Sequence, residues 1–408
     1  MRIVKDTNDY TRMSDSDKIY HLLTHDDEAN KALAYQLCVG LVAIGKTYPE
    51  KIAIELRKDV MSCLKYGLEQ AYLGTLERLE IIEDLETLPP EIVQLSSLRV
   101  LDASYNKLKY VPPEIGKLTN LRCLNLDDNH LTTIPPEIGQ LSHLQQLNLG
   151  GNELKSLPKE LKELKKLKVL AIRGNKLNEF PAQLLQMLHL RAIAFGEQPI
   201  DGLEKVLRKM SRYEHLWYLD MEEMGLTCLP QTIGAFKTLT SLCLNGNQIT
   251  YLPKEIGQLK KVIFLEIGGN DLVDLPREFT HLSRLKYLDL SQNRLKDFPT
   301  ELTSLKKIKS LNLSENQLTY LPENALMNFQ KLRRLNLSDN QLQTLPVDLK
   351  HLQSLQVLRL SGNDFNGNLP EVIFELKNLE TLDISENGFD VEAYKHISTR
   401  LKGCHISI

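Results

Sequence analysis

The chain has 408 residues, a formal net charge of −3 and 42% apolar residues, and its length alone allows two or three domains. This charge balance lacks the strong basic excess that marks proteins binding nucleic acids or membrane surfaces. No apolar run reaches the roughly 18 residues that a membrane span needs, so none is expected. The polar first residues lack the apolar core of a secretory signal peptide. Because the six cysteines have no CxxC spacing, we expect a reduced, cytoplasmic protein, with secretion by another route left open.

Residues 1–75 show no internal repeat and predict three helices. The first is expected over 16–24, and the second runs from Asp26 to Ile44, where Gly45 is a stop signal. The third begins near Pro49, a favourable first-turn residue, and continues to about Leu73.

From residue 76 onward one pattern recurs, mostly every 23 residues: L-x-x-L-x-L-x-x-N-x-L-x-x-L-P-x-E-I. A degenerate first unit keeps Leu88 and Pro89 in register but has Glu83 at the asparagine position, and about thirteen units follow it. Two of these have Gln198 and Met224 in place of the asparagine. The others carry Asn106, Asn129, Asn152, Asn175, Asn247, Asn270, Asn293, Asn316, Asn340, Asn363 and Asn387.

Each letter of the pattern has a physical reason. The segment x-L-x-L-x alternates apolar and polar residues, as a half-buried strand does, so its leucines point inward. The asparagine amide has donors and an acceptor that can satisfy backbone groups where the chain turns, and stacked units would form an asparagine ladder. The Leu-Pro that follows ends the extended segment, because proline fixes φ and removes a donor.

This pattern resembles the leucine-rich repeat family in its 23-residue intracellular and bacterial variety, over roughly 310 residues. The resemblance implies an α/β solenoid: a curved horseshoe with a parallel β-sheet on its concave face, an N-terminal α-helical cap and a C-terminal helix-strand cap. Residues 1–75 would then be that cap or a small recruitment domain with its own partner. Residues 76–387 would form the solenoid and 388–408 the C-terminal cap.

The segment 196–224 interrupts the regular spacing. A helical stretch is predicted around Leu203 to Ser211, and the asparagine ladder is expected to be missing at Gln198 and Met224. Two interpretations stay open for this segment. It is either sequence drift, since insertions are tolerated on the loops of one solenoid face, or a hinge or contact site.

The x positions of the strands would line the concave face, where proteins of this family usually bind. Its aromatic residues fall close together, and carboxylates surround them, as in protein-binding hot spots. The alternative is that aromatic residues favour strands and support each other across them. The predicted protein-binding residues are Trp217, Tyr218, Phe264, Tyr287, Glu222, Glu266 and Asp289.

We find no catalytic or metal-binding constellation in the sequence, so neither a catalytic residue, a metal nor a cofactor is expected. Nucleotide-binding, zinc-protease and serine-hydrolase motifs are absent from the chain. Cys123 and Cys243 are expected to face solvent, but no general base lies beside either in sequence.

The leading hypothesis is therefore a monomeric, non-catalytic scaffold that binds a protein partner on its concave face. A second hypothesis is a secreted effector that acts on host signalling proteins. A third is a regulator of a small GTPase or phosphatase, because the L-P-x-E-I repeats resemble those of Ras-pathway scaffolds. An unrecognised enzyme is the remaining alternative, and fold alone does not decide among them.

Overall fold

The computed structural model describes residues 14–25, 27–82, 84–198, 200–366 and 369–408. Three features of the sequence lie outside these residues: the polar first thirteen, Asp26 as a helix start and Glu83 at the asparagine position. The chain divides into two compact units, Met1–Leu167 and Lys168–Ile408.

Five helices open the described part of the first unit. Their bounds are α1 (Asp15–Leu23), α2 (Glu28–Ala43), α3 (Glu50–Leu56), α4 (Val60–Tyr66) and α5 (Gln70–Leu73). The prediction of one continuous third helix is wrong, because the chain turns twice within it. Asp59 caps α4 by accepting a hydrogen bond from the Ser62 amide, and Gly67 ends it at a φ of 66°. Helix α4 lies against the first return arm of the repeats, Pro90–Gln94.

The repeats of the first unit each contribute one short strand and one return arm. The strands are β1 (Arg78–Glu80), β2 (Val100–Asp102), β3 (Cys123–Asn125) and β4 (Gln146–Asn148), and neighbours pair in parallel in chain order. The return arms are 3-10 helices at Pro90–Gln94, Pro113–Lys117, Pro136–Gln140 and Lys159–Glu163. Each central strand leucine is buried, so the unit's core lies between the sheet and these arms.

The second unit continues the same plan. Its strands are β5 (Val169–Ala171), β6 (Ala192–Ala194), β7 (Tyr218–Asp220), β8 (Ser241–Cys243), β9 (Phe264–Glu266), β10 (Tyr287–Asp289), β11 (Ser310–Asn312), β12 (Arg334–Asn336), β13 (Val357–Arg359), β14 (Thr381–Asp383) and β15 (His405–Ser407). All pair in parallel with their neighbours in chain order. The 3-10 arms are Ala182–Gln186, Gln231–Ala235, Lys254–Gln258, Arg277–His281, Thr300–Ser304, Val347–His351 and Glu371–Glu375.

Two α-helices complete the second unit. Helix α6 (Leu203–Met210) lies where the sequence predicts a helical stretch, and it buries Leu207 and Met210. Helix α7 (Val391–Arg400) is capped by Asp390 and precedes the edge strand β15. The predicted α/β solenoid with a parallel sheet, N-terminal helices and a C-terminal helix and strand is confirmed.

The repeat asparagines are buried and bridge consecutive repeats. The Asn270 amide donates to the carbonyl oxygens of Leu244, Ile267 and Gly268, and its oxygen accepts from the Ile249 amide. This side chain thereby satisfies four backbone groups of the turning chain, which would otherwise be buried without partners.

The expected gap in the ladder at Gln198 is not found. Gln198 is buried; its amide donates to the carbonyl oxygens of Ile172 and Phe195, and its oxygen accepts from the Leu177 amide. Glutamine has the same donors and acceptor as asparagine on a stem one carbon longer, so it supplies equivalent bonds.

Candidate functional site

The strand register aligns the predicted aromatic residues in one row across β7 to β10. Tyr218 pairs with Ser241, Ser241 with Phe264, and Phe264 with Tyr287. Phe264 is 43% exposed although it is a large apolar side chain. Its ring stacks on Tyr287 with centroids 4.4 Å apart and an angle of 3° between the planes. An exposed aromatic stack therefore stands on the outward face of the sheet.

The second aromatic pair, like the first, combines one exposed ring with one half-buried ring. Trp217 is 44% exposed, and its ring centroid lies 5.8 Å from that of Tyr218. Tyr218 is half-buried, and its hydroxyl oxygen lies 3.9 Å from Cys243 Sγ. This burial raises the pKa of Tyr218 above its ordinary value. The Tyr218 side chain therefore leans toward the neighbouring strand β8.

Carboxylates form a second row, two residues farther along the same strands. Asp220 pairs with Cys243, Cys243 with Glu266, and Glu266 with Asp289. Asp289 accepts bonds from Ser291, whereas Glu222 accepts one from the Asn245 amide at 2.8 Å. Glu266 and Asp289 form no ion pair within the described part of the chain.

Asp220 is the most constrained member of this row. Only 1% of it is exposed, and its Oδ1 accepts from the Glu222 amide. Its Oδ2 has no hydrogen-bond partner among the described residues and lies 3.8 Å from Arg173 Nη1. Burial raises the pKa of Asp220, while its backbone bond and Arg173 act in the opposite direction. Burial of this carboxylate opposes folding, and its bond to the Glu222 amide offsets part of that cost, as the bond from the Ser291 amide does for Asp289 on β10.

Arg173 reaches across a neighbouring repeat to join this cluster. Its guanidinium pairs with Glu197, and it lies 3.8 Å from Asp220 and 4.0 Å from Glu222. Gly196 allows the two neighbouring repeats to approach closely here, because a Cβ at this residue would lie 2.6 Å from the Glu222 carbonyl oxygen and 3.0 Å from Asp220 Oδ1. The cluster thus already accommodates one guanidinium.

Cys243 lies at the centre of the cluster, and the expectation that it faces solvent is wrong. It is 6% exposed, whereas Cys123 is half-buried. One potential ligand atom from each of Cys243, Glu222 and Glu266 lies within 4.8 Å of the others. Burial, followed by the charge of Glu266, raises the pKa of the Cys243 thiol. The thiol is therefore protonated at neutral pH, which disfavours both nucleophilic attack and metal ligation.

An open depression of about 620 Å³ extends from the aromatic stack toward later strands. Phe264, Glu266, Tyr287 and Asp289 line one side of it, and the exposed cations Arg334 and Arg359 line the other. The sequence places these arginines at outward strand positions, but nothing in their spacing marks them as functional. Sequence reasoning also missed Asp220, because its environment depends on two residues of earlier repeats, Gly196 and Arg173.

Comparisons with known families support the repeat fold described above. A family model described as "Leucine-rich repeat region" matches residues 201–314, and one described as "Leucine rich repeat" matches 119–177 and 306–365. A third, "Leucine Rich repeats (2 copies)", matches 96–139. A solved leucine-rich repeat protein of Leptospira interrogans is 32% identical over 83% of this chain and 97% of that one, with a TM-score of 0.66.

The chain belongs to the leucine-rich repeat family. Other solved members are similar to this leucine-rich repeat protein at lower identity. An internalin from Listeria monocytogenes is 21% identical over 86% of this chain and 94% of that one, with a TM-score of 0.60, which shows the fold alone. The ectodomain of the Arabidopsis thaliana receptor kinase GASSHO1/SCHENGEN3 is 27% identical over 83% of this chain and 48% of that one, with a TM-score of 0.54.

A search of curated proteins finds no match. Leucine-rich repeat proteins are typically non-catalytic interaction modules, and this fold is a common scaffold for binding proteins. In the described residues of this leucine-rich repeat protein, no helix is long and apolar enough to cross a membrane.

Proposed function

We propose that this leucine-rich repeat protein is a non-catalytic scaffold that binds a protein partner on the outward face of its sheet in the second unit. The binding surface comprises Trp217, Tyr218, Phe264, Tyr287, Glu222, Glu266 and Asp289, hereafter the aromatic–acidic surface. The observation that carries the proposal is the Phe264–Tyr287 stack, with Phe264 exposed, beside Glu266 and Asp289, which have no ion pair among the described residues.

Two physical arguments favour binding over strand packing. The serines Ser241 and Ser310 flank the stack in the register, so its outer ring faces meet no large neighbour within the row. A partner that covers these rings gains the free energy of burying apolar area, roughly 25 cal/mol per Å². In addition, aromatic residues are enriched among the few that carry most of an interface's binding energy.

The solved relatives are consistent with a protein or peptide ligand. The structure of the GASSHO1/SCHENGEN3 ectodomain contains CASPARIAN STRIP INTEGRITY FACTOR 2, so that relative binds a factor of this kind. We propose that the chain acts in the cytoplasm, and its six cysteines, which form no disulfide, support this location. Detection of the untagged protein in culture supernatant, rather than in the cytosol, would favour the secreted-effector hypothesis instead.

The test is an affinity pull-down from the native cytosol with the full chain and with F264A/Y287A. Tyr218 stays unchanged because its partial burial makes it a packing residue as well. The matched control is Y251A/Y320A, which removes two aromatic side chains that are 61% and 52% exposed elsewhere on the second unit. All three proteins should have the same melting temperature.

We expect a partner that the wild type and the control capture to be lost with F264A/Y287A. The identity of that partner would show whether a GTPase or a phosphatase is the target. If the folded F264A/Y287A variant captures the same proteins as the wild type, the aromatic–acidic surface is strand packing and the proposal is wrong.

A further inference from the structure

Two arginines lie close together on the outward face of the sheet, next to the aromatic–acidic surface. Arg334 is the first residue of β12 and Arg359 is the last residue of β13, and both side chains are exposed. Arg334 pairs with Val357 in the register, so the two arginines are diagonal neighbours with Cβ atoms roughly 7–8 Å apart. Two side chains of this length can therefore bond to one anion together.

This arginine pair, Arg334 and Arg359, stands out from the rest of the face. Among the first and third residues of the described strands of the second unit, these two alone are lysine or arginine. Neither forms an ion pair within the described residues. Asp383 pairs with Arg359 in the register but accepts hydrogen bonds from Ser385. The two like charges repel each other, and an anion bound between them would remove that repulsion.

The arginine pair and the aromatic stack line the same depression. Phe264 and Tyr287 lie on one side of it, and Arg334 and Arg359 lie on the other. Strands in a sheet are about 4.8 Å apart, so β12 and β13 lie about 10 Å and about 14 Å from β10, which carries Tyr287. An extended segment covers this distance in about three or four residues, at roughly 3.3 Å per residue. One short segment can therefore contact the stack and the arginine pair at once.

The surroundings of the arginine pair favour a carboxylate over a phosphate group. Beyond Arg359 lies a second depression of about 380 Å³, which Glu315, Asp339 and Asp383 help to line. A phosphate monoester carries up to two negative charges at neutral pH, so these acidic residues repel it more strongly than a singly charged carboxylate. A planar carboxylate also matches the forked hydrogen-bond geometry of a guanidinium group.

The two depressions meet at Arg359, whose side chain lines both of them. A bound segment can therefore continue past the arginine pair instead of ending there. A carboxylate in the middle of a segment belongs to an aspartate or glutamate side chain, whereas a C-terminal carboxylate requires the segment to stop. The open path thus favours an acidic side chain as the ligand.

We propose that the partner protein places one aspartate or glutamate side chain between Arg334 and Arg359. That residue lies about three or four residues from a large apolar side chain that covers the Phe264–Tyr287 stack. This inference rests on the proposed protein-binding function and names the chemistry of the partner. Forked, charge-assisted hydrogen bonds from the arginine pair orient the segment, and the apolar contact buries surface beside them.

The experiment selects binding peptides from a random library, with the full chain as bait. The peptides are displayed inside a phage coat protein, so none of them has a free C-terminus. The same selection is run with R334Q/R359Q and with the matched control R277Q/R284Q. The control replaces two exposed arginines that lie in and just after the return arm Arg277–His281 rather than on a strand. Equal melting temperatures verify that the variants fold.

We expect the wild type and the control to select peptides that have an acidic residue at the stated spacing from a large apolar residue. R334Q/R359Q should lose the acidic preference and keep the apolar one. Calorimetry with one selected peptide then measures the contact. Replacing its acidic residue by the corresponding amide should weaken binding to the wild type roughly tenfold and binding to R334Q/R359Q by less than about twofold.

Two results of the selection would overturn the arginine-pair proposal: peptides without an acidic preference, or the same acidic preference with R334Q/R359Q as bait. A third result comes from an analogue of the selected peptide that has phosphoserine at the acidic position. If this analogue binds more tightly than the carboxylate peptide, the arginine pair is a phosphate site and the proposal is wrong.

Failure of this inference differs from failure of the proposed function. If F264A/Y287A loses its partner but the selected peptides show no acidic preference, the surface binds a protein by other chemistry. If the acidic preference depends on the arginine pair while F264A/Y287A captures the same proteins as the wild type, the arginine pair is a separate carboxylate site and the proposed function is wrong.

Discussion

The irregular segment 196–224 and the regular repeats that follow it both bury backbone polar groups where the chain turns. Different side chains satisfy these groups in the two regions. In the regular repeats, each buried asparagine, such as Asn270 or Asn293, bonds to the carbonyl groups of two consecutive turns. In the irregular segment, Gln198 makes those bonds instead. Helix α6 also replaces the usual 3-10 return arm there.

The Met224 side chain has no amide group to bond to the backbone, and side chains of the neighbouring repeats form these hydrogen bonds instead. The Phe195 carbonyl oxygen, which a side chain at 224 would reach, accepts from Gln198, and the Met221 carbonyl oxygen accepts from Asn247. The Met224 amide donates to Asn247 in turn. The comparison shows that the fold requires satisfied backbone groups at each turn and tolerates several side chains that supply them.

The largest effect should come from breaking the regular ladder. We expect N270A to lower the free energy of unfolding by about 3 kcal/mol, because four buried backbone groups lose their partner. Urea unfolding measures this loss. N378A is the control, since Asn378 is exposed and donates one bond to the Gln353 carbonyl oxygen. Equal losses in the two variants would show that the ladder is not what stabilises the turns.

A smaller loss should follow in the irregular segment. Gln198 bonds to three backbone groups, so we expect Q198A to lower the free energy of unfolding by about 2 kcal/mol. Q198N keeps the donors and the acceptor and should retain more stability than Q198A in the same urea experiment. If the alanine and asparagine variants are equally stable, the glutamine does not replace the ladder residue.

The smallest expected effect has the opposite sign and concerns Asp220, a buried neighbour of the aromatic–acidic surface. We expect D220N to raise the free energy of unfolding at pH 7 by about 1 kcal/mol, because it removes a buried charge and keeps the acceptor for the Glu222 amide. Thermal unfolding of D220N measures this gain, with the exposed D297N as its control. A destabilised D220N would indicate that the Arg173 ion pair outweighs the burial of the carboxylate.

Asp220 also makes the free energy of unfolding depend on pH. Since burial raises the pKa of Asp220 above 3.8, the folded protein holds this proton more tightly than the unfolded chain does. The contribution of Asp220 to stability is therefore most favourable below pH 3.8 and declines as the pH rises from there through the raised pKa. In D220N this decline should be absent over the same interval.

The sequence was sufficient to predict the strands and the row of aromatic residues, because both follow from the alternation around leucines such as Leu219 and Leu265. It was insufficient for features that depend on contacts between repeats. The buried Cys243 lies against the Tyr218 hydroxyl of the preceding repeat, and Asp220 is surrounded by Arg173 and Gly196 of earlier repeats. The helical breaks at Asp59 and Gly67 were missed because the apolar residues continue across them.

The second unit contains the chain's single tryptophan, so tryptophan fluorescence reports on this unit alone. Trp217 is the only residue of its kind in the chain, and it lies in that unit beside Tyr218. Its emission therefore reports unfolding of its own neighbourhood, whereas circular dichroism averages over the whole backbone. In a repeat protein each element depends mainly on its neighbours, so the two signals coincide only if melting spreads through the entire array. Comparing their midpoints measures, without any label, how far cooperativity extends along the chain.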